Sequence, residues 1–237
     1  MSAIAPKTEI ITNQIVDGLP AGVRGALLGH AETVDLVFGT VLSEPDEPFR
    51  HAYFPLIGFV SLMATVRGNH PLEVGLIGNE GMLGATLALG VNAVPQRCVV
   101  QGSGTALRLS AAHFREVLRD NTALQRNVGR YLYVLMAQLS QTVACTHFHE
   151  VDTRLARWLL MTHDRAHDDS FHLTHKFLAD MLGVQRSAVT IAAGAFQRQG
   201  LIRYTRGEIT VLDRAGLEDA ACECYAAANV HYLHHLP

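Results

Sequence analysis

The stretch from Leu173 to Ile202, LTHKFLADMLGVQRSAVTIAAGAFQRQGLI, constrains what this chain can fold into more than any other. Leu178, Met181 and Leu182 fall on one helical face, and Ala179 is small where two helices must cross closely. Gly183 follows the last apolar residue and supplies the left-handed conformation that stops a helix. A second helix is expected from about Gln185, with Val189 and Phe196 turned inward. Its leading residues Gln185, Arg186, Ser187 and Thr190 are left facing outward. Those residue types hydrogen-bond base edges and phosphates, and they stand at the end of a helix placed to enter a major groove.

Ordinary helix packing uses the same Ala, Gly and Val spacing, so the flanking sequence has to decide. Gln199-Gly200-Leu201-Ile202 closes the second helix, and Arg203 to Leu212 reads as two short strands around an Arg206-Gly207 turn, a wing. Between Phe171 and Gly207 the charged residues are Lys176, Arg186, Arg198, Arg203 and Arg206 against Asp180 alone. This local excess sits in a chain of net charge -3, so the positive field belongs to one region rather than to the whole molecule.

At 237 residues the chain is long enough for two domains with separate cores. No apolar run approaches the roughly 20 residues that span a bilayer, and the start, MSAIAPKTEIITNQ, lacks a charged segment followed by an apolar one. A cytoplasmic protein with no membrane partner is the expectation.

Before the helix pair, Ile15, Leu19, Val23 and Leu27 suggest short covering helices. Strands are expected within Val34–Leu42, His51–Phe54, Phe59–Val66, Leu72–Ile77, Arg97–Gln101 and Thr105–Ser110, with breaks at Pro55 and Gly58. Short strands at regular intervals imply a β sandwich or roll, and no βαβ alternation is present. The loop Gly78-Asn79-Glu80-Gly81 could leave amides open to an anion or small ligand. No nucleophile elbow, P-loop, metalloprotease helix or paired carboxylate appears, so an enzyme has no residues to stand on.

A short helix over Ala111–Arg119 precedes a long one from about Asn121 to His149. Its apolar positions Leu124, Val128, Leu132, Leu135 and Leu139 suggest a homodimer seam through Val128, Leu132, Leu135 and Leu139. A two-fold dimer would set its recognition helices about 34 Å apart on DNA. Further helices are expected over Thr153–Asp164 and from Arg214 through Tyr225, with a polar linker at Ala166–Ser170 and a loosely held tail from Ala226 to Pro237.

The cysteines Cys98, Cys145, Cys222 and Cys224 contain one C-x-C pair and no C-x-x-C, which reads as reduced thiols and no metal site. Histidines concentrate after Cys145: His147, His149, His163, His167, His172, His175, His231, His234 and His235. Surface and interdomain positions account for them. The alternative is a haem- or metal-responsive sensor, for which His231 with His234 or His235 has helical ligand spacing.

The order of roll, long helix and winged helix pair resembles the CRP/FNR family of bacterial transcription regulators over nearly the full length. The match is strongest in LTHKFLADMLGVQRSAVT, QGLI and RGEITVLDRAGLE, with a second in His51-Ala52-Tyr53-Phe54-Pro55 and Ile77-Gly78-Asn79-Glu80-Gly81. The resemblance implies an α+β fold: a cyclic-nucleotide-binding-domain-like β roll over residues 1–120, a dimerisation helix over 121–149 and a winged helix-turn-helix over 150–237. It implies a sequence-specific DNA-binding homodimer on double-stranded DNA, with RNA polymerase as a further partner if the protein activates. Gln185, Arg186, Ser187 and Thr190 would read bases, and Thr174, Lys176 and Arg206 would hold phosphates. Gly78, Asn79, Glu80, Gly81 and Arg97 form the possible effector loop; no cofactor is identified and the effector is unspecified.

The departures are as informative. Cyclic-AMP-responsive members carry Gly-Glu-Leu-Gly and a phosphate-gripping Arg-Ser pair. Here the acid of Gly78-Asn79-Glu80-Gly81 lies one place along, and the pair falls near Pro95-Gln96, with Arg97 the nearest cation. Without that charge-assisted contact, tight cyclic-AMP binding is not expected. Iron–sulfur members need an amino-terminal cysteine cluster, and no cysteine precedes Cys98. Arg186 matches the family arginine that commonly reads guanine, whereas Ser187 and Ile191 replace a glutamate and a later arginine.

Overall fold

A computed structural model describes residues 12–236; most of the amino-terminal segment read above as lacking a leader lies outside the described residues. Two short helices, α1 (Gln14–Asp17) and α2 (Ala21–Leu28), lead into β1 (Glu32–Leu36), β2 (Val41–Ser43), β3 (His51–Ala64) and β4 (Leu72–Ile77). After a 3-10 turn at Ala85–Leu89 come β5 (Arg97–Ser110), α3 (Ala111–Arg119), α4 (Thr122–Phe148) and α5 (Val151–Ala166). The remainder is β6 (Ser170–His172), α6 (His175–Leu182), α7 (Arg186–Arg198), β7 (Ile202–Thr205), β8 (Glu208–Val211), α8 (Arg214–Ala220) and α9 (Cys224–His235).

All strand pairs of the amino-terminal sheet are antiparallel, in the order β1-β5-β3-β4 with β2 also on β5. Pro55 and Gly58 do not break β3 as expected. They sit inside one long strand whose register shifts repeatedly between Pro55 and Val60, so the chain bends without leaving the sheet. Likewise, the two expected strands after Arg97 are one, β5. Gly58 has φ +80, and a Cβ on Gly104 would stand 2.1 Å from the Ile57 carbonyl oxygen, so the bend requires glycine on both strands.

One apolar cluster fills the roll and reaches Leu124, Val128, Tyr131 and Val134 of α4. The second is not confined to the carboxy-terminal elements, since Phe59, Met63, Leu76 and Val99 of the roll pack with Leu155, Leu159, Leu178 and Met181. The expectation of separate cores therefore fails at this boundary. Burying the roll's outer apolar face gives α5 and α6 a floor to rest on.

The wing contains a third strand, with β6 beside β8 and β8 beside β7, where a polar linker was expected to end. The carboxy-terminal tail also differs from expectation. Residues from Cys224 form α9, which runs against α4, with Tyr133 edge-on to His231 and His235 at centroid distances of 5.9 and 4.8 Å. His231 and His235 thus serve packing in this arrangement, and the apolar surface of α4 is what orders the tail.

Polar contacts complete the junction between roll and carboxy-terminal half. Glu73 on β4 accepts from Trp158 Nε1 of α5 at 2.6 Å and from Ser61 Oγ at 2.5 Å. Burial pushes its carboxyl up to about 7, against the opposing pull of those two donors and of Arg165 and Arg157. Between its unfolded pKa and about 7 the folded state holds the extra proton, so this group lowers stability as pH rises through that window. Glu73→Gln keeps an acceptor for Trp158 and places an amide donor toward Ser61. We expect the urea-midpoint difference between this variant and the parent to move in the variant's favour from pH 5 to pH 7.5. A difference that stays flat with pH would show that Glu73 does not titrate there.

Candidate nucleic-acid interface

The helix pair is fixed at both ends of its turn. Thr174 caps α6, its Oγ accepting from Phe177 N at 3.1 Å, and Gly183 ends it at φ +64, ψ +39. Gly183 N and Val184 N return to the carbonyls of Asp180 and Ala179 at 3.3 and 2.9 Å, so the reversal is fully hydrogen-bonded. Leu178, Ala179, Met181 and Leu182 of α6 meet Val189, Ala192, Ala193 and Phe196 of α7 in the second core cluster. Packing along those faces leaves Gln185, Arg186 and Ser187 exposed at the amino-terminal end of α7.

Thr190 is exposed too, but its hydroxyl is occupied. It donates to the Arg186 carbonyl at 3.0 Å and lies 3.0 Å from His175 Nδ1. With the hydroxyl proton on Arg186 O, the His175 contact requires that Nδ1 carry a proton and donate it. Burial, reinforced by the nearby Arg186 charge, holds the His175 pKa below its ordinary value and favours the neutral ring. The ring also stacks on Tyr204 of β7, with centroids 4.2 Å apart and planes 16° from parallel. His175 thereby ties α6, α7 and the wing into one surface, a role that no local sequence signal revealed.

Lys176, Arg186, Arg198, Arg203 and Arg206 are all exposed, and among the described residues none forms an ion pair. Arg206 sits at the wing tip with φ +53, next to Gly207 at φ +85. Cations that no carboxylate neutralises keep their field available to an outside polyanion. Asp180 instead faces His70 of the roll, at 3.8 Å. Ile191 is 72% exposed on the outer face of α7, where an apolar side chain gains nothing from its own fold.

The effector loop is arranged differently from expectation. Glu80 is buried and pairs with Arg165 of α5, its Oε1 2.9 Å from Nε and 2.8 Å from Nη2, and also accepts from Gly78 N at 3.1 Å. Gly81 N donates to the Gly78 carbonyl at 3.0 Å, and the Asn79 carbonyl accepts from Gln14 N. A Cβ on Gly81 would stand 2.3 Å from the Tyr131 ring, so this glycine admits the ring of α4 rather than opening a cradle. Arg97 is engaged with Glu44 at the surface, at 3.1 Å. Arg97 therefore stands apart from Gly78, Asn79, Glu80 and Gly81, whereas Asn79 and Glu80 line a cavity of ≈ 300 Å³ with Arg165, Arg214 and Tyr232.

The roll's large cavity, ≈ 620 Å³, lies elsewhere, between the sheet and α4. Leu62, Ile77, Met82, Leu132, Leu135 and Leu139 line it among others, and no charged residue does. This changes the reading of the α4 stripe. Val128 is fully buried against its own roll and cannot form a seam, and Leu132, Leu135 and Leu139 are half-buried toward the cavity. Tyr133 and Met136, at 44% and 58% exposure, stand at the cavity's rim, and Val143 is 69% exposed. Of the stripe read from the sequence, Val128 belongs to the roll's core while Leu132, Leu135 and Leu139 keep partial exposure, since a helix with apolar residues on both sides gives no local sign of which side is internal.

No described helix is long and apolar enough to cross a membrane. Residues 153–220 match the model of the Crp-like helix-turn-helix domain. The transcriptional regulator SdrP of Thermus thermophilus is 27% identical over 200 residues, covering 80% of this chain and 94% of that protein. Among solved structures, FixK2 of Bradyrhizobium japonicum aligns with a TM-score of 0.68 at 13% identity, over 81% of this chain and 98% of its own. A CRP-family transcriptional regulator from Thermus thermophilus aligns with a TM-score of 0.66 at 20% identity, over 79% of this chain and 96% of its own. At these identities the two likenesses concern the fold alone.

Proposed function

We propose that this chain is a transcription regulator of the CRP/FNR family, on the strength of its Crp-like helix-turn-helix domain and its likeness to a transcriptional regulator, and that it works as a homodimer on a roughly palindromic operator. The observation that carries the proposal is the exposed amino-terminal end of α7, with Gln185, Arg186 and Ser187 presented beside cations that have no ion-pair partner among the described residues. Arg186 is assigned to base reading, Gln185 and Ser187 to adjacent contacts, and Ile191 to an apolar contact such as a thymine methyl. Thr190 is assigned to holding the helix rather than to reading, because its hydroxyl is spent internally. Thr174, Lys176 and Arg206 are assigned to phosphates.

The dimer seam is assigned to Gly129, Leu132, Met136, Leu139 and Val143, which alternate three- and four-residue steps along the side of α4 that includes its exposed positions. The nearby cavity, apolar and without a charged wall, suits an uncharged apolar effector better than a cyclic phosphate.

Selection of bound duplexes from a random pool by the purified protein tests the reading. Two inverted half-sites whose centres lie about one helical turn, roughly 34 Å, apart are expected, and added cyclic AMP should leave the enrichment unchanged. Recovery of a pool without sequence preference would defeat the operator reading, and a cyclic-AMP-dependent enrichment would defeat the effector assignment.

A further inference from the structure

Cys145, His149, Cys222 and Cys224 come together although the sequence separates them into two distant pairs. Their ligand atoms all lie within 4.8 Å of one another. Cys145 Sγ is 3.5 Å from Cys222 Sγ, and Cys224 Sγ is 3.5 Å from His149 Nδ1. Tetrahedral zinc with sulfur at about 2.3 Å and nitrogen at about 2.0 Å has ligand edges of about 3.5–3.8 Å, so these two contacts already match edges of such a site. All three thiols are free and buried.

The surroundings are those of a metal site rather than of loose thiols. Glu223 Oε1 stands 3.3 Å from His149 Nε2, which orients the ring so that Nδ1 faces the sulfurs. Gln141 Nε2 donates to Cys224 Sγ at 2.9 Å. Arg154 and Arg157 are buried in the wall that also contains Cys145, and among the described residues neither forms an ion pair with a carboxylate. Two buried guanidinium charges, with Glu73 the one carboxyl in that wall, favour further negative charge close by. Three thiolates and a neutral imidazole on Zn²⁺ carry net charge -1 and supply it.

We infer that Cys145, His149, Cys222 and Cys224 bind one Zn²⁺ per chain as a clasp between the end of α4 and the start of α9. Cys145 lies in the last turn of α4 and His149 caps it, whereas Cys222 stands between α8 and α9 and Cys224 begins α9, beyond the wing. Binding forms three S–Zn bonds and one N–Zn bond, and the thiol protons pass to solvent. The metal would fix the DNA-binding half to the long helix at the point where the chain turns at His149–Glu150. The spacings, C-x-x-x-H and C-x-C, escape a search for C-x-x-C because only the tertiary fold joins them.

Metal analysis of the full, untagged chain purified in reductant tests this, and it is read without DNA. About one zinc per chain should survive gel filtration, fall by more than tenfold in Cys222→Ser/Cys224→Ser, and persist in Cys98→Ser, whose thiol lies in the roll. Replacement of zinc by Co²⁺ in the unmutated chain should give the strong visible bands of tetrahedral thiolate coordination, a readout that does not depend on a variant folding. A chain that remains metal-free after incubation with Zn²⁺, a Cys145–Cys222 disulfide in reductant with no metal, or equal metal in the double variant would each overturn the assignment.

Discussion

Arg165→Met will lower the unfolding free energy of this protein by about 3–5 kcal/mol, the range expected when one partner of a buried ion pair is removed. Arg165 and Glu80 have side chains only 6% and 9% exposed, and no water replaces the lost guanidinium without opening the junction. The substitution also strips a donor from Tyr232, which receives Arg165 Nη2 at 3.0 Å and Gln138 Nε2 from the other side. Gln138 in turn takes Leu76 N at 2.7 Å and donates to Leu76 O at 3.2 Å, so one network joins β4, α4, α5 and α9. Methionine fills much of the volume, which isolates charge loss from cavity formation. The double variant Glu80→Gln/Arg165→Met should recover much of the loss, because the carboxylate left behind is the main penalty. Urea unfolding of the parent, both single variants and the double variant gives the coupling. A loss under about 1 kcal/mol for Arg165→Met would show that the contact between roll and α5 is not held in solution.

Arg186→Ala will weaken binding to the selected operator by roughly 5- to 150-fold, corresponding to about 1–3 kcal/mol for a bidentate base contact. Binding to scrambled duplex should change much less. The expected distinction rests on position: Arg186 is the first residue of α7, the end assigned above to the groove, whereas Lys176 and Arg206 stand on α6 and the wing turn. Among the described residues Arg186 forms no ion pair and its guanidinium no hydrogen bond, so its removal should leave the unfolding midpoint nearly unchanged. Equal weakening on operator and scrambled DNA, measured at one salt concentration, would reassign Arg186 to phosphate.

The two expectations differ in how visible they were before the fold was known. Arg186 was legible because a helix, a glycine turn and a second helix announce themselves within thirty residues, through spacing that local geometry imposes. Glu80 was noticed for its loop and assigned toward a ligand, since nothing near it in sequence identifies Arg165 as its partner. The roll was recognised as strands and turns, yet β3 and β5 were each divided in two. Proline and glycine mark a bend equally well whether the strand ends there or continues through a bulge.

By itself the sequence determined the helix pair, its glycine stop, the wing turn, the exposed amino-terminal end of the second helix and the overall α+β order. Each depends on contacts a few residues long, for which periodicity and turn chemistry are sufficient. Only the tertiary structure decided that Val128 faces inward, that the tail becomes α9, and that Glu80 meets Arg165. It alone brought Cys145 to Cys222, 77 residues away. Such meetings depend on how whole elements pack, and a residue's neighbours along the chain carry no record of which distant side chain will be buried against it.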